Sequence, residues 1–299
     1  MPDRTHAGHP LPRPVGEQRP LASSVWVTGQ LHPHVQFADG GYVPATGQDR
    51  HRITPAVAAH AIAQYSRPGG LVVDPDCGAG TVLVEALRAG RHTVGVTTDR
   101  RHWEIARANL TAAKRGGAAT DGMVLDQSPH TIARHRGEPL AGLAGRVDLV
   151  LTTTRRTEGA HGPGRDLAGV FARAVGLLHA DGHLVLALAR ARRRGYLIDL
   201  AAAATAAAHG CGLVPVDRCV ALLAAVRGDR VITHATLSQR RAADRHQRST
   251  GHPIGLRAHQ DLLVFRPAAA SHTASARAAE PGRPIETLTA LSRTLLCAA

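Results

Sequence analysis

Asp74-Pro75-Asp76-Cys77-Gly78-Ala79-Gly80-Thr81 is the stretch whose reading decides the fold. It follows a short apolar run, Leu71-Val72-Val73, and opens an amphipathic one, Val82-Leu83-Val84-Glu85-Ala86-Leu87. An apolar strand ending in an acid, then a Gly-x-Gly turn, then a helix start is an arrangement that holds nucleotide-like cofactors. The glycines let the backbone approach a ligand, and the first helical turn offers N–H groups without intrahelical partners. The alternative is a glycine-rich strand-to-helix turn that binds nothing.

Outward from this loop the chain alternates. Strands are predicted at Leu71–Val73, Thr93–Val96, Met123–Leu125, Val147–Leu151 and His183–Leu188, and helices at Val82–Ala89, Arg101–Ala113, Asp166–His179 and Leu197–His209. Gly90, Gly116-Gly117 and Asp181-Gly182 punctuate their ends. Such βαβα alternation implies a mostly parallel sheet covered on both faces. Upstream, Thr54 and Pro55 suit the N-cap and first position of a helix that Pro68-Gly69-Gly70 closes, and Ser24–Gln30 reads as a short edge strand. After Gly212 the pattern changes to strands at Leu213–Val216, Cys219–Val226, Val231–Leu237 and Leu262–Phe265. Two of them flank the turn Arg227-Gly228-Asp229, which predicts an antiparallel hairpin at a sheet edge. Residues 1–23, rich in Pro, Arg and His without periodicity, read as a disordered N-terminal segment. Residues 267–299 read as a flexible tail, with Leu288, Leu291 and Leu295 spaced for a short terminal helix. One domain, 24–266, lies between.

Composition narrows the class. Aromatic residues make up 3% of the chain, so Ala, Val and Leu supply most of the packing. No run reaches the roughly 18 uncharged apolar residues of a membrane span, and the N-terminus carries no apolar signal region, so no membrane is expected and the cytoplasm is the default location. The four cysteines lack Cys-x-x-Cys spacing, which suggests neither a zinc site nor a disulfide framework. His179 and His183 straddle Asp181-Gly182 and should not share a helix face, so no metal is expected. The net charge is +13, with Lys114 the only lysine. Residues 1–50 balance four acids against four arginines, so the excess lies in the body of the chain. It concentrates in Arg190-Ala191-Arg192-Arg193-Arg194 and in Arg240, Arg241, Arg245 and Arg248. A basic face fits a nucleic-acid partner; a solvated arginine-rich surface is the equal alternative. No oligomeric state follows from the sequence.

The order of these segments resembles the bacterial S-adenosylmethionine (SAM)-dependent methyltransferases that include tRNA guanine amino-methylases and DNA amino-methylases. The likeness spans about residues 24–266 and rests on several segments besides 74–81. These are Val25-Trp26-x-Thr28-x-Gln30, Val94-Gly95-Val96, Asp148-Leu149-Val150-Leu151, Ala180-Asp181-Gly182-His183-Leu184-Val185, Gly212 through Leu223, and Ala258 through Val264. It implies a Rossmann-like class I methyltransferase fold with a mostly parallel seven-stranded sheet. Helices would cover both faces and an antiparallel hairpin would close one edge. It also implies SAM as cofactor and an amino group of RNA or DNA as acceptor. By resemblance Asp74, Cys77, Gly78, Ala79, Gly80 and Thr81 wrap the methionine and ribose end of SAM, with Asp74 accepting from the ammonium.

Three positions depart from that family. The second strand should end in an acid for the ribose hydroxyls, but Val96 is followed by Thr97-Thr98, and a threonine replaces two charge-assisted bonds with one neutral bond. Asp99 either takes over this role or caps the next helix. Asp126, after the third strand, either reads the adenine amine or sits in a solvated turn. After the fourth strand the family places Asp, Asn or Ser, then Pro-Pro, then an aromatic, to aim the target amine and stack on its base. Here Thr153, Thr154, Arg155 and Arg156 occupy those catalytic positions. Thr153 keeps an acceptor oxygen, whereas the two arginine side chains have none. Their charges would oppose a sulfonium nearby, although a guanidinium plane can stack on a base. Three readings follow: a methyltransferase with an altered site, a non-catalytic protein that binds SAM or nucleic acid, or a folded relic that retains no ligand.

Overall fold

The fold was analysed in a computed structural model, which describes residues 23–49, 51–127, 140–154, 167–190, 192–193 and 196–268. The predicted N-terminal segment up to residue 22, the C-terminal tail from 269 and its candidate helix lie outside these residues.

In chain order the elements are β1 (Val25–Trp26), α1 (Pro33–Asp39), a 3-10 turn (Pro44–Gln48), α2 (Pro55–Tyr65), β2 (Leu71–Asp74) and α3 (Thr81–Arg88). Next come β3 (His92–Thr97), α4 (Arg100–Arg115), β4 (Gly122–Asp126), β5 (Val147–Thr153), α5 (Leu167–Leu177) and β6 (Leu178–Ala187). The last are β7 (Arg192–Arg193), β8 (Tyr196–Leu197), α6 (Leu200–Gly210), β9 (Leu213–Leu222), β10 (Ala225–Arg227), β11 (Arg230–Ile232), α7 (Leu237–Thr250) and β12 (His259–Pro267).

Side chains alternate across a strand, and the central strands use the alternation to feed two cores. Leu71, Val73, Val150, Leu184 and Leu186 face a core completed by Phe171 of α5 and Ala204 and Ala208 of α6. Val72, Leu149, Leu151 and Val185 face the other, completed by Val57, Ala61 and Ile62 of α2 and Val82 and Ala86 of α3. Both faces are therefore apolar, as a doubly covered sheet requires.

The main sheet has the order β1-β9-β12-β6-β5-β2-β3-β4. Strands β4-β3-β2-β5-β6 are mutually parallel and follow the doubly wound order with the first strand at the centre. β12 then enters antiparallel to both β6 and β9. This is the predicted Rossmann-like architecture, a mostly parallel sheet with an antiparallel edge. The sheet has eight strands, not seven, because β1 adds parallel to β9 at the outer edge.

Several boundaries differ from expectation for identifiable reasons. β6 starts at Leu178, not His183, and the Asp181-Gly182 turn is absorbed as an irregularity between the Val147–Leu178 and Leu149–His183 pairs. α6 starts at Leu200 because Asp199 accepts the N–H groups of Ala201 and Ala202. β9 runs unbroken through Pro215, and β10 and β11 form a separate antiparallel ribbon around Gly228. The strand expected at Val231–Leu237 ends at Ile232, and α7, which the strand pattern did not include, follows. α7 buries no residue, so it has no apolar periodicity to reveal it. What marks it in sequence is the capping box Thr236-x-x-Gln239.

Candidate functional site

All the parallel strands deliver their carboxyl ends to one edge of the sheet, where ligands bind in open α/β folds. The loop 74–81 leaves β2 at that edge. Gly78 and Gly80 have φ of 49° and 81°, in the left-handed region. A Cβ on Gly80 would lie 3.0 Å from Ala106 Cβ, so α4 can approach only a glycine there. Gly95 in β3 serves the same end, since a Cβ on it would lie 2.5 Å from Leu83 Cδ1 and 2.9 Å from Cys77 Sγ.

The loop is braced from three directions. Cys77 N–H donates to Val96 O and Gly80 N–H to Cys77 O, each at 2.8 Å. Asp76 N–H donates to Asp74 Oδ1 at 3.1 Å. The Ala79 peptide is held at both ends: its N–H donates to Asp49 Oδ2 at 3.0 Å, and its carbonyl accepts from Asn109 Nδ2 at 2.8 Å. Asn109 also donates to Thr46 Oγ1 and accepts from Val43 N–H. Both Asp49 and Asn109 are buried. The sequence reading included neither. Asn109 did leave a signal: it is a polar residue on the stripe Ile105, Ala106, Leu110, Ala113 that α4 buries. Asp49 lies in an aperiodic loop and left none.

A small cavity of about 10 Å³ lies against the loop, lined by Asp74, Asp76, Thr81, Thr153 and Arg52 among others. That is room for about one water. Arg52 was also missing from the sequence reading. Its Nη1 donates to the carbonyls of Gly47 and Asp49, and its guanidinium carbon sits 4.6 Å from the Phe37 ring centre. Burial lowers its pKa, with Asp49 opposing the shift. Two buried polar atoms here, Arg52 Nε and Thr81 Oγ1, have no hydrogen-bond partner among the described residues. Buried polar atoms are normally satisfied, and each of these two can take a water or a ligand atom as its partner.

Further along the edge the predicted residues are committed to the chain itself. Asp99 Oδ1 accepts from Arg101 N–H at 2.8 Å and His102 N–H at 3.4 Å, so of its two readings the geometry supplies the helix cap. Thr97 is buried, and its Oγ1 accepts from Asp99 N–H at 3.3 Å. Asp126 Oδ2 lies 3.2 Å from Arg100 Nη1, and that guanidinium stacks 4.1 Å from the Trp103 ring centre. Asp126 thus ends β4 in an ion pair.

At the end of β5, Thr153 Oγ1 donates to Ala187 O at 3.0 Å. With its proton used, the oxygen can only accept from a further partner. Thr154 is a structural clamp: its N–H donates to Ala187 O at 3.1 Å and its Oγ1 accepts from Ala189 N–H at 2.7 Å. Arg155 and Arg156 lie outside the described residues.

Among the described residues no group of three or more His, Cys, Asp or Glu could hold a metal ion, and no helix is long and apolar enough to cross a membrane. The basic residues Arg240, Arg241, Arg245 and Arg248 all fall on α7, with Asp244 as its single acid.

No family model matches the chain, and no curated protein sequence does. Solved structures do. A methyltransferase from Pyrococcus furiosus aligns at 12% identity over 79% of this chain and 95% of its own, with a TM-score of 0.48. TrmN from Thermus thermophilus aligns at 17% identity over 75% of this chain but only 52% of its own, with a TM-score of 0.42. The magnesium protoporphyrin IX methyltransferase ChlM from Synechocystis PCC 6803, solved with bound SAH, aligns at 15% identity over 71% of this chain and 80% of its own, with a TM-score of 0.44. At these identities and scores, function has to be argued from this chain's own residues.

Proposed function

We propose that the chain binds SAM against the 74–81 loop and transfers its methyl group to an amino group of nucleic acid, from an altered acceptor motif. The observation that carries this is the polarity of the cavity at the loop. Its lining combines two carboxylates, Asp74 and Asp76, with Arg52 and the Thr81 hydroxyl, and Arg52 Nε and Thr81 Oγ1 have no hydrogen-bond partner among the described residues. An α-amino acid head needs that pairing, an acceptor for its ammonium and a donor for its carboxylate. In this reading Asp74 takes the ammonium and Arg52 with Thr81 takes the carboxylate. Gly78, Ala79 and Gly80 let the backbone come close, and Asp126 reaches the adenine only by sharing its carboxylate with Arg100. Because the cavity has room for about one water, the segment around Asp49 and Arg52 must shift outward on binding.

Bound there, SAM supplies an electrophilic methyl group on a sulfonium. The chain's part is to orient the amine. Thr153, its proton held by Ala187 O, presents an acceptor to an amine N–H and so turns the nitrogen lone pair toward the methyl. A neutral hydroxyl does this less strongly than the carboxylate form of the family's motif, so transfer is slow. The exposed basic helix α7 supports nucleic acid as acceptor, and a cytoplasmic location goes with this reading.

A second reading, a non-catalytic SAM- or nucleic-acid-binding protein, draws on the ribose and adenine end. There Thr97 replaces an acid, Asp99 is a cap and Asp126 is ion-paired. Tritiated methyl transfer from SAM to bulk RNA and DNA separates the two. The first reading expects slow transfer by the native chain, lost in Thr153→Val and faster once Thr153→Asp, Thr154→Pro, Arg155→Pro and Arg156→Tyr are combined. No transfer by either native or combined variant, with SAM still bound, decides for the second.

A further inference from the structure

A second recess opens on the same edge of the sheet, on the far side of Thr153 from the glycine loop. It encloses about 490 Å³ between the end of β6, the start of α6 and the segment that leads into β12. That volume is in the range of about 300–1,000 Å³ typical of small-molecule sites. Its floor is self-satisfied: Leu188 N–H donates to Asp261 O at 2.8 Å, and Gln260 Nε2 to Leu188 O at 3.3 Å. Leu197, Ile198, Leu200 and Leu256 give it apolar walls.

Its charges do not cancel. The two carboxylates lining it are engaged, Asp199 as the cap of α6 and Asp261 with Arg218 at 3.2 Å. Arg190 and Arg257 also line it, and among the described residues each bonds only a backbone carbonyl, Gly255 O at 2.8 Å and His259 O at 3.4 Å respectively. Among the described residues neither has a carboxylate partner. Both arginines are exposed, and desolvation, then the neighbouring Arg190 cation, lowers the pKa of Arg257. Two like charges at one recess repel each other, and an anion between them offsets that repulsion. A guanidinium has five N–H donors in a planar fork, a match for phosphate oxygens.

We propose that this recess holds a phosphate of the acceptor nucleotide between Arg190 and Arg257, with the sugar or base against the apolar wall. The inference rests on the reading that the acceptor is nucleic acid, and it assigns the acceptor a place. The site begins where the motif ends: Ala189 N–H is bonded to Thr154 Oγ1 at 2.7 Å, and Ala189 lines the recess. A nucleotide anchored there lies beside Thr153, with the glycine loop on the other side.

The test is calorimetric titration of the full chain with AMP, with adenosine, and with a ten-nucleotide single-stranded RNA. AMP and the RNA distinguish a free nucleotide from a nucleotide within a strand. Arg190→Ala/Arg257→Ala should weaken the phosphate-bearing ligands by about tenfold or more, as loss of charge-assisted pairs does, and adenosine should bind weakly to both proteins. Arg190→Lys/Arg257→Lys, which keeps charge but loses the fork, should fall between. Circular dichroism melts check that the variants fold. Unchanged affinity in the alanine variant, or no binding of AMP and RNA to the native chain, overturns the proposal. Thermal shift with SAM is read in parallel. A SAM shift with arginine-independent RNA binding defeats this inference alone. Arginine-dependent binding without a SAM shift defeats the methyltransferase reading alone.

Discussion

The two recesses on the carboxyl edge of the sheet are built on opposite plans. At the glycine loop the chain binds itself: the Ala79 peptide is gripped by Asp49 and Asn109, Gly95 admits Leu83 and Cys77, and about 10 Å³ remains. At the β6–β12 end the chain leaves about 490 Å³ and two arginines that, among the described residues, bond only to backbone carbonyls. Close bracing suits a loop that must present its backbone in one geometry. Unbalanced charge in an open recess suits a partner that brings the opposite charge. The first is a place for precise positioning and the second a place for capture.

The sharpest way to break this contrast is to add carbon atoms to both sides. Gly95→Val should destabilise by about 3 kcal/mol, since its Cβ already collides with Leu83 and Cys77 and a buried β-strand has no room to yield. Gly255→Ala, at the rim of the open recess, meets nothing within 4 Å and should leave stability within about 0.5 kcal/mol of the native chain. Urea unfolding of the two variants measures both. Equal effects would mean that the loop is no more tightly packed than the recess.

Removing the brace at Asp49 comes next in size. Asp49→Ala leaves the buried Ala79 N–H without its carboxylate, which should cost about 1–3 kcal/mol. Hydrogen exchange at Ala79 should quicken while amides in β12 hold their rates. If exchange at Ala79 does not change, the amide is held by something other than Asp49.

The smallest effect expected is that of pH. His60, whose ring lies 4.5 Å from that of Trp26, and His183, 5.3 Å from Tyr65, are both pushed below the ordinary histidine pKa, first by burial. For His183 the Arg266 and His179 charges add to the shift. Below about pH 6.5 the unfolded chain takes up these protons first, so their contribution is complete above that pH and is lost as pH falls toward the lowered folded values. The melting temperature should drop between pH 7 and pH 5, and by less in His60→Gln/His183→Gln. An identical drop in that variant would place the titration elsewhere.

The contrast between the recesses also explains what the sequence made legible. The loop is contiguous, and its glycines, its flanking strand and its helix start can be read in order. So can the β–α alternation, because hydrophobic period follows element type. Asp99 had two readings in sequence, and its Oδ1 on the Arg101 and His102 amides shows the helix cap. The Asp49–Ala79 bond joins residues thirty positions apart, the small cavity brings Arg52 to Asp74, Thr81 and Thr153, and the β6–β12 recess gathers 188–190, 197–201 and 255–261. No local period encodes such meetings. α7 was missed for a different reason: a helix that buries nothing lacks the stripe by which helices are recognised.

The claim that most needs a direct answer is that the loop cavity takes the amino-acid head of SAM. Titration calorimetry of the purified chain with SAM, repeated on Arg52→Gln, answers it. The account predicts one-to-one binding by the native chain, a matching rise in melting temperature, and affinity weakened by about tenfold or more in the variant. No heat and no thermal shift at about 2 mM SAM, a concentration at which even a weak single site stabilises the native state measurably, would contradict it.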